Sequence, residues 1–397
     1  MTRTPQPKPA PRARAAGSRT AYLVLGMHRS GTSAVTQLLA LAGCDLPADV
    51  MPGDAHNAKG YFEPWRIAVL NDERLRAAGS AWDDPFAYPF RPLPEGEEAA
   101  WRTRAGDLFD AEFKDAAVPL MKDPRATVLL PLWREVLAAR AVAPRCVIPV
   151  RHPLAVAGSL ARRDGFAAAK SVLVWSAYML AAEAYTRDLP RAVVGYDGLL
   201  ADWRAEAARI EAAHGAPLPA LTPAAGRGID AFLTAELRHN ADDSGLSELG
   251  WAGEIAQAVH GWFAAKAAGG DPPRRALDAA AAELAKRQAE IGTLVSPAAR
   301  DLATARADLA EARSRQAVAE ALESELRARL VKDRKTLEAG WKITARELDA
   351  TAERLKAVEV QREAAVARLE TASAQLQRYA RTFDQINLEL DAALSDD

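Results

Sequence analysis

Cysteine is nearly missing from this chain of 397 residues: Cys44 and Cys146 stand alone, each in an apolar context. Neither a disulfide framework nor a zinc-ligand spacing can be built from them, and a reducing compartment suits the composition. An excess of charge of either sign is missing too. Lys and Arg number 51 against 53 Asp and Glu, a formal charge of -2, so no general attraction to nucleic acid or an acidic membrane is implied. No uninterrupted apolar run is long enough to span a bilayer. The opening stretch, MTRTPQPKPAPRARAAGSRT, contains no acidic residue and lacks the apolar region of a secretory signal. Its prolines break any amphipathic helix. Residues 1-19 are therefore expected to be a disordered basic tail, and the expected location is cytoplasmic.

The last third is poor in other ways. After Pro297 there is no proline, cysteine or histidine, and only one glycine, Gly340. Eight of the nine tryptophans lie before residue 265, and aromatics supply much of a packed core. The folded domain is therefore expected over 20-265, with a linker and helix over 266-297. What fills 298-394 is Ala, Glu, Arg and Leu, the composition of a long helix. A heptad ladder runs through Trp341, Leu348, Leu355, Arg362, Leu369, Leu376, Phe383 and Leu390. Its companions, three residues on, are Thr344, Thr351, Val358, Ala365, Ala372, Tyr379 and Ile386. This is the a/d seam of a coiled coil. Upstream, Leu302, Leu309, Leu322, Leu326, Leu330 and Leu337 shift in register. A continuous helix from Pro297 would reach on the order of 140 Å at 1.5 Å per residue. Arg362 at a core position costs stability and helps set register or oligomer state. The expectation is a homo-oligomer, or docking onto a partner, through this segment.

The first two-thirds alternate strand and helix signals. AYLVLG (21-26), AVPLM (117-121), RCVIPV (145-150) and RAVVGY (191-196) read as strands. Helical patterns follow near 31-42, 131-141, 153-163 and 170-189. The expected fold class is α/β, a P-loop-like parallel sheet flanked by helices, followed by a long C-terminal coiled-coil helix. Ligands of such sheets bind at the carboxyl ends of the strands.

One further absence concerns chemistry. GMHRSGTS (26-33) has the glycine spacing of a nucleotide-phosphate loop, but Thr32 stands where that motif has lysine. Arg29 is the permanent cation. Gly26 and Gly31 permit the turn, a helix beginning near Gly31 aims amide N-H groups at an anion, and Ser30, Thr32 and Ser33 add hydroxyls. No strand ends in the apolar-apolar-apolar-Asp pattern that would hold magnesium. A group less charged than phosphoryl, such as sulfuryl, meets those conditions without metal.

At this point the chain resembles the sulfotransferases, whose donor is 3'-phosphoadenosine-5'-phosphosulfate (PAPS). The resemblance covers about residues 20 to 260. GMHRSGTS resembles their 5'-phosphosulfate loop, which implies that Arg29 assists departure of the bridging oxygen. VIPVRHPLAVAGSLARR is similar to their 3'-phosphate site, implying that Arg151 and Ser159 hold that phosphate; a guanidinium fork suits its oxygens. LMKDPRA resembles an element of the tyrosylprotein branch and gives Lys122 the sulfate oxygens. Arg125 either orients an acidic acceptor or pairs with Asp123. Tyr196 matches an R-Y-E-D-L-like segment in which Gly195 and Gly198 depart from the pattern. Arg238 and His239 match an L-R-H stretch near the nucleotide.

Transfer to a hydroxyl needs a base. NAKGYFE resembles a stretch of bacterial sulfotransferases and makes Glu63 a candidate, with His28 and His56 behind it; Glu63 alternatively serves as a charge at the N-terminus of a helix starting near Pro64. Arg29, the cation beside His28, is expected to hold it neutral. The reading is PAPS-dependent sulfuryl transfer to a hydroxyl, on a carbohydrate such as a polysaccharide or glycolipid, with no nucleic-acid partner. The alternatives are a P-loop nucleotide kinase or hydrolase variant and a coiled-coil scaffold with a relict nucleotide site.

Overall fold

A computed structural model describes residues 19-51, 62-233, 245-333 and 341-394, and side chains at 331-346 and 383-394 are left aside. The basic tail to residue 18, His56, most of NAKGYFE, Arg238 and His239 lie outside the described residues.

Four strands, β1 (Arg19–Val24), β2 (Leu120–Lys122), β3 (Val142–Val150) and β4 (Arg191–Gly195), form one parallel sheet in the order β2-β1-β3-β4. The alternation of side chains explains why β1 is apolar at every position from Ala21 onward. Ala21 and Leu23 enter one core with Cys146 and Ile148. Tyr22 and Val24 enter a second with Val147 and Val194 on the opposite face.

The second core is covered by α1 (Thr32–Leu41), α9 (Trp203–His214) and α10 (Pro223–Phe232), through residues such as Leu38, Ile210 and Ile229. The first is larger. It holds α2 (Trp65–Ala77), α3 (Glu95–Phe113), α5 (Leu130–Ala138), α6 (Pro153–Asp164), α7 (Ala168–Tyr185) and α11 (Gly250–Ala267). The short helices α4 (Arg125–Val128) and α8 (Tyr196–Ala201) follow β2 and β4 directly. From Ser171 to Glu183 every residue of α7 is buried, so its uniform apolarity is that of a central helix. Among the described residues no single helix is long and apolar enough to cross a membrane.

The C-terminal third is two helices rather than one rod from Pro297. Helix α12 (Arg275–Asp333) starts 22 residues before that proline and continues through it. An interior proline costs about 3 kcal/mol; here Ile291, Ala298, Ala299 and Leu302 are buried on either side of it, and burial of this kind offsets the cost. The beginning of α12 belongs to the α/β core through Leu277, Leu284 and Ile291. Helix α13 (Trp341–Leu394) packs along α12. Arg362 lies against Gln316 and Arg368 against Asp308, so numbers fall on one helix as they rise on the other: the pair is antiparallel. On α13 Thr351, Ala365 and Ala372 are buried, as the ladder predicts. On α12 the seam runs through Leu302, Ala305, Leu309, Ala312, Ala319 and Leu326, all buried, whereas Leu322 is exposed. The shifting upstream register thus resolves into one heptad frame that admits alanines, Gln316 and Glu323.

Candidate active site

The strand order β2-β1-β3-β4 sends the chain from β1 to one side and from β2 back across to the other. The switch point therefore lies between the carboxyl ends of β1 and β3, where open α/β sheets bind ligands. Residues 25-31 leave β1 there, and Arg151 and His152 leave β3.

Loop and strand end are joined directly. Arg29 Nε donates to Ser159 Oγ at 2.8 Å, and Arg151 Nη1 donates to the Arg29 carbonyl at 3.2 Å. Arg29 has φ 68, an uncommon conformation for a residue with a side chain. Gly31, which caps α1, has φ 92, and a Cβ there would lie 2.3 Å from the Tyr196 ring. Only glycine fits that position. Tyr196 also lies under the Arg151 guanidinium, 4.6 Å from its carbon, a cation-π contact. Burial pulls the Arg151 guanidinium below its ordinary value, against the pull of Tyr196 and Asp197. The Gly26 amide donates to Thr127 Oγ1 at 2.7 Å, so β1's loop is held from the β2 side as well.

Two polar atoms of this cluster, Ser30 Oγ and Arg151 Nη2, are buried and make no hydrogen bond among the described residues. Each such atom costs about 1–3 kcal/mol, more where charged. Together with amides at the start of α1 they suit an anion. Thr32 is buried and Ser33 half-buried beside them.

A second cluster sits at the end of β2. Lys122 Nζ and Glu63 Oε1 are 2.6 Å apart, both side chains almost fully buried. Arg125 reaches Asp123 at 2.7 Å, Asp72 at 2.8 Å and Glu63 at 3.5 Å. Of the two sequence readings for Arg125, pairing with Asp123 is the one observed, with two more carboxylates besides. Asp123 in turn accepts from Asn71, whose Oδ1 accepts from Trp133. Helix α2 begins after Pro64, as expected, yet Glu63 is tied to Lys122 and Arg125.

His28 connects the clusters. It is buried, its Nε2 has no partner among the described residues, and its ring meets Trp82 edge-on at 4.9 Å. Burial first, then Arg125, Arg163, Lys122 and Arg29, hold its pKa well below 6.5. The imidazole is therefore neutral at pH 7, for a reason larger than the neighbouring cation that the sequence suggests.

Sequence reasoning passes over Thr127, Asn71, Asp72 and Trp82. The first three carry no motif. Trp82 had a signal in SAWDDPF, where an aromatic and two acids interrupt a turn-forming stretch.

No protein-family model matches this chain, and no curated protein matches it. Among solved structures, the sulfotransferase domain from the Synechococcus PCC 7002 olefin synthase is similar at 16% identity with a TM-score of 0.38, over 66% of this chain and 99% of that one. No residue role is taken from a likeness at that level.

Proposed function

We propose that the protein is a sulfotransferase that moves a sulfuryl group from PAPS to an acceptor hydroxyl, carbohydrates being the first acceptor class to test. The observation that supports it is the pairing of an anion-suited loop lacking a lysine, with Arg151 Nη2 and Ser30 Oγ left for a ligand, and a lysine-carboxylate couple at the neighbouring strand ends. The motif resemblance described above gives that pairing its chemical identity.

In this reading PAPS supplies the sulfuryl group and departs as adenosine 3',5'-bisphosphate. Arg151, Ser159 and Tyr196 hold its 3'-phosphate side. Gly26, Ser30, Gly31, Thr32 and Ser33 line the 5' side, with Arg29 at the bridging oxygen. Such preorganised donors stabilise charge that develops during transfer. Lys122 turns from Glu63 to the sulfuryl oxygens, and Glu63 then accepts the proton of the attacking hydroxyl. One bond forms between acceptor oxygen and sulfur as the bond from sulfur to the leaving oxygen breaks. His28, neutral and without a partner at Nε2 among the described residues, is the rival base. Glu63→Gln and His28→Gln separate the two: the base variant loses about 100-fold or more in kcat, while the other retains most turnover.

The first test is calorimetric titration of adenosine 3',5'-bisphosphate in EDTA. Binding is expected, weakened about 10- to 100-fold by Arg151→Ala, as loss of a charge-assisted contact predicts. Binding of magnesium-ATP alone would overturn the proposal in favour of a nucleotide kinase or hydrolase variant.

A further inference from the structure

Trp82 is the wall against which His28 of the phosphate loop rests, and it is held from an unexpected quarter. Its carbonyl accepts from Tyr178 of α7 at 2.9 Å. Its ring stacks on Phe166 at 5.7 Å and 28°. The next residue, Asp83, is fully buried and binds Lys170 at 2.7 Å and Arg306 at 3.3 Å, both through Oδ2. Arg306 belongs to α12 and is 223 residues away in sequence. Its guanidinium also lies 5.9 Å from the centre of the Phe166 ring.

Arg306 is not an isolated contact. Ser296 Oγ of the same helix accepts from Arg91 at 2.9 Å, and Arg91 ties the loop together by binding Gly79 O, Phe86 O and Asp84. A Cβ at Gly292 would touch Phe86 at 3.9 Å. Residues 292, 296 and 306 fall on one face of α12, spanning about 21 Å at 1.5 Å per residue. That face runs along the loop from Ser80 to Arg91.

We infer that Arg306 is a positioning residue for the candidate active site: through Asp83 and Phe166 it fixes Trp82, and Trp82 fixes the His28 side of the phosphate loop. The helical stalk therefore completes the site rather than merely following it. The link to catalysis rests on the sulfotransferase reading; the link from Arg306 to His28 does not. Lys170 remains on Asp83 when Arg306 is removed, and the Arg306 side chain is more than a third exposed, so Arg306→Ala is expected to fold.

The experiment uses the full chain with labelled histidine. The His28 Hε1 resonance is assigned by its disappearance in His28→Gln and is displaced by the Trp82 ring. In Arg306→Ala it moves toward the position of an unstacked imidazole, Arg306→Lys restores it, and in Asp83→Asn the further Arg306→Ala change moves it less, only the Phe166 contact being left to lose. In turnover with PAPS, Arg306→Ala lowers kcat/KM on the order of tenfold, as coupled neighbours do, and leaves affinity for adenosine 3',5'-bisphosphate unchanged. A His28 resonance that stays in place in Arg306→Ala overturns the inference, whatever the activity. A displaced resonance in a protein that neither binds the bisphosphate nor turns over PAPS upholds the positioning link and removes the sulfotransferase reading.

Discussion

At the scale of single residues, the two positions that say most are the ones a substitution table would treat as ordinary. His28 has a folded-state pKa well below 6.5, chiefly through burial. Between those two values the unfolded chain carries a proton that the folded chain does not, so stability is full above about pH 6.5 and is lost as pH falls. His214, also lowered by burial, acts in the same direction, while Asp72 and Asp84, raised by burial, act in the opposite one. The comparison that isolates His28 is therefore its own variant: thermal melts from about pH 7.5 to 5.5 should fall less steeply for His28→Gln than for the native chain. Equal slopes would remove His28 from the account. Gly31 makes the second case. An alanine there meets both a left-handed backbone and the Tyr196 ring at 2.3 Å. The backbone alone costs about 1–2 kcal/mol, or roughly 2–8 °C at about 2–4 °C per kcal/mol for a domain of this size. Tyr196→Ala removes the clash but not the strain, so by calorimetry the double variant should lose less than the sum of the two single losses if the ring contributes. Strictly additive losses would assign the whole cost to the backbone.

At the scale of elements, the site exists because four strand ends deliver their following residues to one place. Lys122 ends β2 and pairs with Glu63, which Arg125 also approaches at 3.5 Å. Lys122→Met should therefore destabilise by about 2–3 kcal/mol, below the full penalty of an unpaired buried charge, because Arg125 remains. Adding Glu63→Gln should recover part of that loss, since no buried carboxylate is then left unpaired. Urea unfolding of the three variants checks both steps; a double variant no more stable than Lys122→Met would mean the pair is not coupled. This level is also where the sequence was most legible. Continuous apolar runs such as AYLVLG are legible because a parallel strand buried on both faces needs no polar alternation. GMHRSGTS and VIPVRHPL were legible because glycine geometry and a strand-end arginine are local requirements. The joins between them were not. That Arg29 donates to Ser159 while Arg151 donates to the Arg29 carbonyl depends on the order of strands, which no local pattern carries. SAWDDPF shows an aromatic and two acids, but the contacts that Trp82 and Asp83 make with α7 and α12 were silent for the same reason.

At the scale of the whole molecule, the heptad ladder was readable but its partner was not, because a seam specifies an apolar face and not whose face will cover it. Here α12 covers α13 within one chain. The alanines Ala305, Ala312, Ala319, Ala365 and Ala372 are buried in that seam, and small residues let two helices approach closely. Against them stands a polar pair within the seam: Arg362 Nη1 donates to Gln316 Oε1 at 3.4 Å, both side chains half-buried. A slip of the hairpin by one heptad that sets Arg362 opposite Leu309 also sets Gln316 opposite Leu355, leaving buried polar groups unmade. The pair thus costs stability and disfavours that register, the usual effect of a polar residue at a core position. Replacing both by leucine should raise the melting temperature of the stalk, since an apolar pair of similar volume is at least as stable as a buried polar one. It should also loosen register, so that stalks can pair between chains. Light scattering should then find the native protein at its chain mass of 42.6 kDa and the double leucine variant partly above it. A native chain that is already dimeric would mean that the seam is shared between two molecules, with Arg362 and Gln316 matching across them.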